Sequence, residues 1–367
     1  MKLLHLALIC TLALAASVHA SPPDQTATLQ TLLNPKSPSQ TITLPRGVWP
    51  YNNLLHISTP GTTINGAGAV LLATNPSRSA LVVLGNGVTV KNLTFATLKP
   101  TTRNTMPASV RILLRGSGAT IISNTIMGGA GGGIMLLGAQ SSTIIGNQVF
   151  NTLADGIHAT GGSQDATISH NLVNNSGDDG IAVVSYGNEP SPTTNITITS
   201  NSVANLAWGR GITTIGGSSV TIADNTIRNI TCCAGIKVAQ DGYYKTHNAH
   251  HIAVTGNTIS HIQTGSPPAK TGRYTHHAGI DINASNGGQV SHITISSNTI
   301  HHTRFAGIRL MGHVCQTAIT NNQFTHIGYT PILLTQSQCP QNPITTIKNN
   351  LLEKTPITTP TLQKPNH

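Results

Sequence analysis

Short runs of alternating apolar and polar residues recur along most of this chain. One run reads Thr-Ile-x-x-Asn-x-apolar. It is seen at Thr120-Ile121-Ile122-Ser123-Asn124-Thr125-Ile126 and returns around Asn147, Asn171, Asn201, Asn225, Asn257, Asn298, Asn322 and Asn350. A second run reads Gly-Ile-x-apolar, at Gly133, Gly156, Gly180, Gly211, Gly235, Gly279 and Gly307, with Pro331-Ile332 in the last copy. The two alternate without a miss from Asn124 to Asn350. Each is short, rich in Ile, Val and Thr, and of period two, which predicts strands rather than helices.

The basic period is 23–24 residues, and two strand signals per period make one coil of a β-solenoid. A leucine-rich repeat shares the period, but its leucine framework is missing. One coil cannot bury its own isoleucine row. Coils stacked at ~4.8 Å pair every strand with the coils above and below. The asparagine at a fixed corner then stacks into a ladder of amide hydrogen bonds. The fold predicted is all-β, a right-handed parallel β-helix of roughly ten coils with an N-terminal cap.

The ends read differently. Ala27 to Leu33 predicts a short helix over the open end, and Thr41–Gly47 and Val88–Phe95 predict early, less regular coils. Residues 355–367 are rich in Thr and Pro and predict a flexible tail. Residues 1–20 have the layout of a signal peptide: Lys2, an apolar stretch from Leu3 to Ala16, and the small-residue site Val18-His19-Ala20. The β-helix domain is therefore set at 21–354 and the protein is expected to be secreted, extracellular or periplasmic. No later run approaches the ~20 apolar residues of a membrane span, so no membrane partner is expected.

Charged residues are only 8% of the chain and aromatics 3%, which fits neither a disordered chain nor a helical bundle. Lys+Arg number 20 against 10 Asp+Glu. A basic surface favours an anionic partner, and for an exported monomer that means an acidic polysaccharide rather than nucleic acid. Cys315 follows Gly307 by eight residues and Cys339 follows Pro331 by eight, so they are equivalent sites on neighbouring coils. One strand spacing falls within the ~4.4–6.8 Å that a disulfide spans, and that bond is predicted. Cys232 and Cys233 are either buried thiols or a bonded pair. No C-x2-C spacing points to zinc.

Insertions break the repeat at Tyr186–Thr194, Gln240–His251, Gln263–His277 and Ser285–Ser291. Insertions in solenoids become loops that often form the binding face. Four of the six tyrosines lie at or in them, Tyr186, Tyr243, Tyr244 and Tyr274. A groove on the Gly-Ile sheet with tyrosine walls suits a sugar chain.

The residue before each Gly-Ile is Asp155, Asp179 and Arg210 in three successive coils, and Asp178 adjoins Asp179. Carboxylates one strand spacing apart favour a shared proton, the preparation a general acid needs beside a base. Asp155, Asp178 and Asp179 are therefore the catalytic candidates. The residue after the isoleucine gives a second stripe: His158, Ala182, Thr213, Lys237, Asp281 and Arg309. His158, Arg210, Tyr186, Tyr243, Tyr244, Asp281 and Arg309 are read as substrate contacts, and Lys237 as a candidate base for uronate elimination.

These residues resemble the pectin-lyase-like β-helix superfamily, and Asp155 to Lys237 is similar to the polygalacturonase family. That family carries N-T-D, G-D-D, G-H-G and R-I-K on successive coils. Here they read Ala154-Asp155-Gly156, Gly177-Asp178-Asp179, Gly209-Arg210-Gly211 and Gly235-Ile236-Lys237, with arginine in place of the family's histidine and glycine in place of its arginine. The resemblance implies glycoside hydrolysis by the aspartates, with Arg210 and Lys237 on substrate carboxylates, or a polysaccharide lyase. It also admits a non-catalytic surface or carbohydrate-binding β-helix. No cofactor or metal is required, although Asp155, Asp178 and Asp179 offer oxygens of the kind calcium takes.

Overall fold

The computed structural model describes residues 23–100, 102–285, 287–335, 339 and 344–363. The leader read at 1–20 and the last residues of the tail lie outside them. Three sheets wrap one core. Each coil adds a strand to sheet A, then sheet B, then sheet C, and the sheets hold 12, 13 and 12 strands. That makes twelve coils where the repeat predicted roughly ten. The extra ones precede Asn124, where Leu55–Ile57, Leu81–Val83 and Ile112–Leu114 serve as sheet C strands without a Gly-Ile signal.

Each asparagine run is two strands rather than one. Thr120–Ile122 lies in sheet A and Thr125–Gly129 in sheet B. Ser123 between them has φ +55°, which turns the chain at the corner. Equivalent corner positions hold Asn92, Gly146, His170, Ser200, Asp224 and Gly256, all with positive φ. Short polar residues and glycine tolerate that region best.

The ladder asparagines, Asn124 to Asn350, are buried inside this corner. Each Nδ2 donates to the Oδ1 of the next, at 2.9–3.0 Å along the whole series. The backbone N–H of each donates to the same oxygen. In sheet C the isoleucines 134, 157, 181, 212, 236, 280, 308 and 332 stand in register as one column. All are fully buried. The glycine before each isoleucine is a matter of space: a Cβ on Gly156 would lie 2.4 Å from Val173 Cγ1 and 2.6 Å from the Gly180 carbonyl oxygen.

The predicted cap is the helix Thr26–Leu33, which buries Leu29 and Leu33 against the first coil. It also covers an open strand edge. Gln30 both donates to the His56 carbonyl and accepts from its N–H, at 2.9 Å each, and Asn34 accepts from Ser58 N–H at 2.8 Å. At the other end the tail departs from expectation: Thr361–Gln363 pairs with Ile332–Thr335 as the last strand of sheet C. Cys315 and Cys339 are bonded, with Cα atoms 5.8 Å apart, and Cys232 and Cys233 are bonded to each other. No helix among the described residues is long and apolar enough to cross a membrane.

Asn225→Ala tests the ladder. It strips Asn201 N–H of its acceptor and the Ile198 carbonyl of its donor, both in the interior. An expected loss of roughly 2–4 kcal/mol is read from the denaturant midpoint.

Candidate active site

The turns from sheet B to sheet C bring Asp155, Asp179 and Arg210 to one edge of sheet C, since the isoleucines that follow them are in register. Each carboxylate reaches the backbone of the next coil. Asp179 N–H donates to Asp155 Oδ1 at 3.0 Å, and Arg210 N–H donates to Asp179 Oδ1 at 2.7 Å. The other oxygens face basic side chains: Asp155 Oδ2 meets His158 Nδ1 at 2.7 Å and Asp179 Oδ2 meets Arg210 Nη2 at 3.0 Å. Asp178 Oδ2 meets Arg103 Nη2 at 2.7 Å. The three carboxylates bring oxygens within 4.8 Å of one another.

These groups line a cleft of about 520 Å³ on the outer face of sheet C. Tyr186 and Tyr244 stand on one wall, from two insertion loops that are joined to each other. Tyr186 pairs with Thr246, and Gly187 N–H donates to the Lys245 carbonyl at 2.7 Å. Glu189 anchors the first loop by accepting from Thr160 Oγ1 at 2.8 Å and Gly161 N–H at 2.9 Å. Tyr243 is not on the wall; it is 86% exposed and packs edge-on against Tyr244.

The opposite wall holds Arg103 and Asn104, which the repeat did not flag. They belong to a long B-to-C turn. Phe95 pairs with Ile126 and Ile112 with Ile134, so 17 residues here replace 8 in the next coil. That excess was the available signal, but the coil lacks Gly-Ile and so escaped the count. Asp241 also lines the cleft and accepts from Tyr243 N–H at 2.9 Å.

The second stripe is not the exposed binding strip the sequence suggested. Lys237, Asp281 and Arg309 do form a column in sheet C, yet Asp281 is 0% exposed and none of the three lines the cleft. Arg309 holds Asp281 Oδ2 through Nε and Nη2, both at 2.7 Å, while Lys237 Nζ lies 3.6 Å from Oδ1. The last residue of the insertion Gln263–His277 reaches this group: His277 Nε2 lies 3.4 Å from Lys237 Nζ. Gln263 ties the two ends of the insertion together by donating to the His277 carbonyl at 2.9 Å. Asp281 is thus held by both cations, and the Lys237 and Arg309 side chains keep 12% and 13% exposure, close to the 13% of Asp155.

The sequence matches the family described as the right handed beta helix region, over residues 51–227 and 189–339. The chain belongs to this family. No curated protein matches the chain. Among solved structures it is similar to the catalytic domain of a GH87 α-1,3-glucanase in complex with tetrasaccharides. That pair shows 16% identity and TM-score 0.62, covering 92% of this chain and 71% of that one. It is also similar to the A-module of mannuronan C-5 epimerase AlgE6 of Azotobacter vinelandii (13% identity, TM-score 0.59, 90% and 95% covered). A third is PfbA, a surface adhesin of Streptococcus pneumoniae (13% identity, TM-score 0.67, 92% and 88% covered).

Electrostatics divide the aspartates of this right-handed β-helix. Burial pushes the Asp179 carboxyl up, Arg210 opposes, and the neighbouring Asp178 and Asp155 push it further, leaving it at about 7. Burial also raises Asp155, but the hydrogen bond and charge of His158, with Arg103 and Arg210, outweigh it and hold that carboxyl below its usual value. His158 is raised in return: burial disfavours its charge, and the bond to Asp155 more than compensates. In the second column, burial is overcome by Lys237 and Arg309, which hold Asp281 at about 2. Burial and the Lys237 charge push His277 down to about 3.

Asp281→Asn leaves two buried cations short of their counter-charge, an expected cost of about 3–5 kcal/mol. The pH sign follows from Asp281's depressed carboxyl. Its contribution is full above the unfolded value near ~3.9 and is lost as pH falls toward about 2. Wild-type stability should fall across that window and the variant's should fall less, as read by thermal melts at stepped pH.

Proposed function

We propose that the protein is a secreted polysaccharide hydrolase that works in the sheet C cleft on a neutral glycan. The observation that carries this reading is the pair of adjacent carboxylates with opposed proton affinities, Asp179 raised to about 7 and Asp155 lowered. Groups pushed apart in this way divide into an acid and an ionised partner. Asp179, protonated, donates to the glycosidic oxygen as the bond to the leaving sugar breaks. Asp155 stays ionised and bonds to the cationic sugar, since carboxylate oxygens within 4.8 Å of one another suit the short spacing of a retaining pair. Water then releases the sugar as Asp179, now ionised, takes its proton. His158 keeps Asp155 ionised. Arg103 orients Asp178, and Tyr186 and Tyr244 offer apolar faces to the sugar rings.

Buried polar atoms are nearly always bonded, yet His158 Nε2 and Arg210 Nε have no partner among the described residues. Both belong to residues lining the cleft, which supports a polar ligand there. The tetrasaccharide complexes of the GH87 α-1,3-glucanase carry alanine at one or the other of two consecutive aspartates. Asp178 and Asp179 are a consecutive pair of the same kind.

The cleft favours a neutral sugar over the acidic one that net charge suggested. Its lining sets Asp155, Asp178, Asp179 and Asp241 against Arg103, Arg210 and His158, and both arginines are already paired to aspartates. With Asp179 protonated, three carboxylates still face two arginines and one histidine, so the lining has no net positive charge to draw a uronate. Elimination by Lys237 or Arg309 is disfavoured because both are engaged by Asp281 and neither lines the cleft. Calcium is disfavoured because each carboxyl group already contacts a basic side chain.

Hydrolysis should show an alkaline limit near pH 7, where Asp179 loses its proton. Arg210→Gln removes a charge that lowers Asp179, so the limit should move to higher pH. Asp179→Asn should lower kcat by roughly 10²–10⁴-fold. The assay follows new reducing ends from neutral glucans and from uronans, with ultraviolet absorbance for unsaturated products. Full activity in Asp179→Asn, or absorbing products, would sink the hydrolase reading. Binding without any cleavage would favour an adhesin-like role.

A further inference from the structure

The ridge that carries the aspartates has a second slope. The same three turns face sheet C with Asp155, Asp178, Asp179 and Arg210, and face sheet B with Leu153, Ser176 and Trp208. On the sheet B side lies a separate cleft of about 660 Å³. The long 98–111 turn straddles the ridge, giving Arg103 and Asn104 to the first cleft and Lys99 and Pro100 to the second.

The two clefts differ in chemistry. The second contains a single charged residue, Lys99. Its apolar surface comes from Met127, which is 52% exposed, with Leu153, Pro100 and the half-buried Trp208. The Trp208 ring is fixed from outside the cleft lining by Lys270, whose ammonium sits 4.2 Å from its centroid. Beside these lie Asn151 and Asn175, both at positive φ on the same column of sheet B. Asn175 Nδ2 donates to Asn151 Oδ1 at 2.7 Å. The bonded pair therefore keeps amide N–H groups at one end and a carbonyl at the other for a ligand.

A fixed indole, exposed aliphatic surface and a paired donor and acceptor match a pyranose, which has apolar C–H faces and a rim of hydroxyls. The near absence of charge selects a neutral sugar. We infer that the sheet B cleft is a second carbohydrate-binding site, for neutral pyranose units, with Trp208 as its platform. The inference rests on the reading of the protein as one that handles glycans, but not on catalysis. It places a glycan chain on both slopes of one ridge, so that the second site retains polymer beside the cleft that cuts it.

The test uses the full chain carrying Trp49→Phe, since Trp49 and Trp208 are its two tryptophans. Neutral tetrasaccharides of α-1,3- and β-1,4-linked glucose, and an acidic mannuronan tetrasaccharide, are titrated to millimolar concentration while Trp208 emission is followed. A saturable emission change with a neutral tetrasaccharide is expected. In the wild-type background, calorimetry should show binding weakened about tenfold or more in Trp208→Ala and partly restored in Trp208→Phe, which controls for misfolding. Adding Asp179→Asn should leave the titration unchanged while it removes hydrolysis. No emission response to the neutral sugars, a response to the acidic one alone, unchanged affinity in Trp208→Ala, or a change that follows protein concentration rather than sugar each overturns the site. Failure here with intact Asp179-dependent hydrolysis leaves the proposed function standing. Loss of the hydrolase reading with a retained Trp208 response leaves the second site standing.

Discussion

Coil lies on coil because each coil's strand and corner amides bond to the coils beside it. Backbone strands do this along three sheets, and the asparagine ladder does it at the corner where strand pairing stops. A corner is the weak point of any solenoid, since its backbone groups turn inward with no strand partner. One amide side chain supplies the missing donor and acceptor at once. The constraint that follows is strict register. A residue at a given place in one coil stands about one strand spacing from its counterparts, whatever its chemistry.

That constraint makes columns out of repeated positions, and charge is the revealing case. Two columns on or beside sheet C combine carboxylates with cations. On the B-to-C edge, Asp155 and Asp179 stand beside a cleft, and burial, helped by the neighbouring like charges, pushes the Asp179 carboxyl up. On sheet C itself, Asp281 sits between Lys237 and Arg309, and opposite charges push its carboxyl down. The same stacking thus sets one buried carboxyl above its usual value and another below it.

The β-helix itself was legible because the signals behind it are local and repeated. Ile181 and Ile212 share a column because each follows a glycine in its own coil, and that can be read without coordinates. The asparagine ladder, the helical cap and the Cys315–Cys339 pairing rest on the same counting. Asp155, Asp178, Asp179, His158, Arg210, Tyr186 and Tyr244 were also found together by counting, since column position fixes which edge they share. Counting failed where a coil lost its marker. Arg103 sits in a turn that no Gly-Ile run follows, and the twelve coils read as fewer for the same reason.

What the amino-acid order determined by itself is therefore which residues share a column, because period and hydrogen-bond register are properties of the local chain. What only the tertiary structure decided is which loops meet each column. Gln263–His277 brings His277 to Lys237, while Tyr186–Thr194 and Gln240–His251 join side by side and wall the cleft that Asp179 lines. Loop direction depends on contacts between segments far apart in the chain, such as Gly187 with Lys245 and Arg304 with Gln263. No periodicity encodes such contacts.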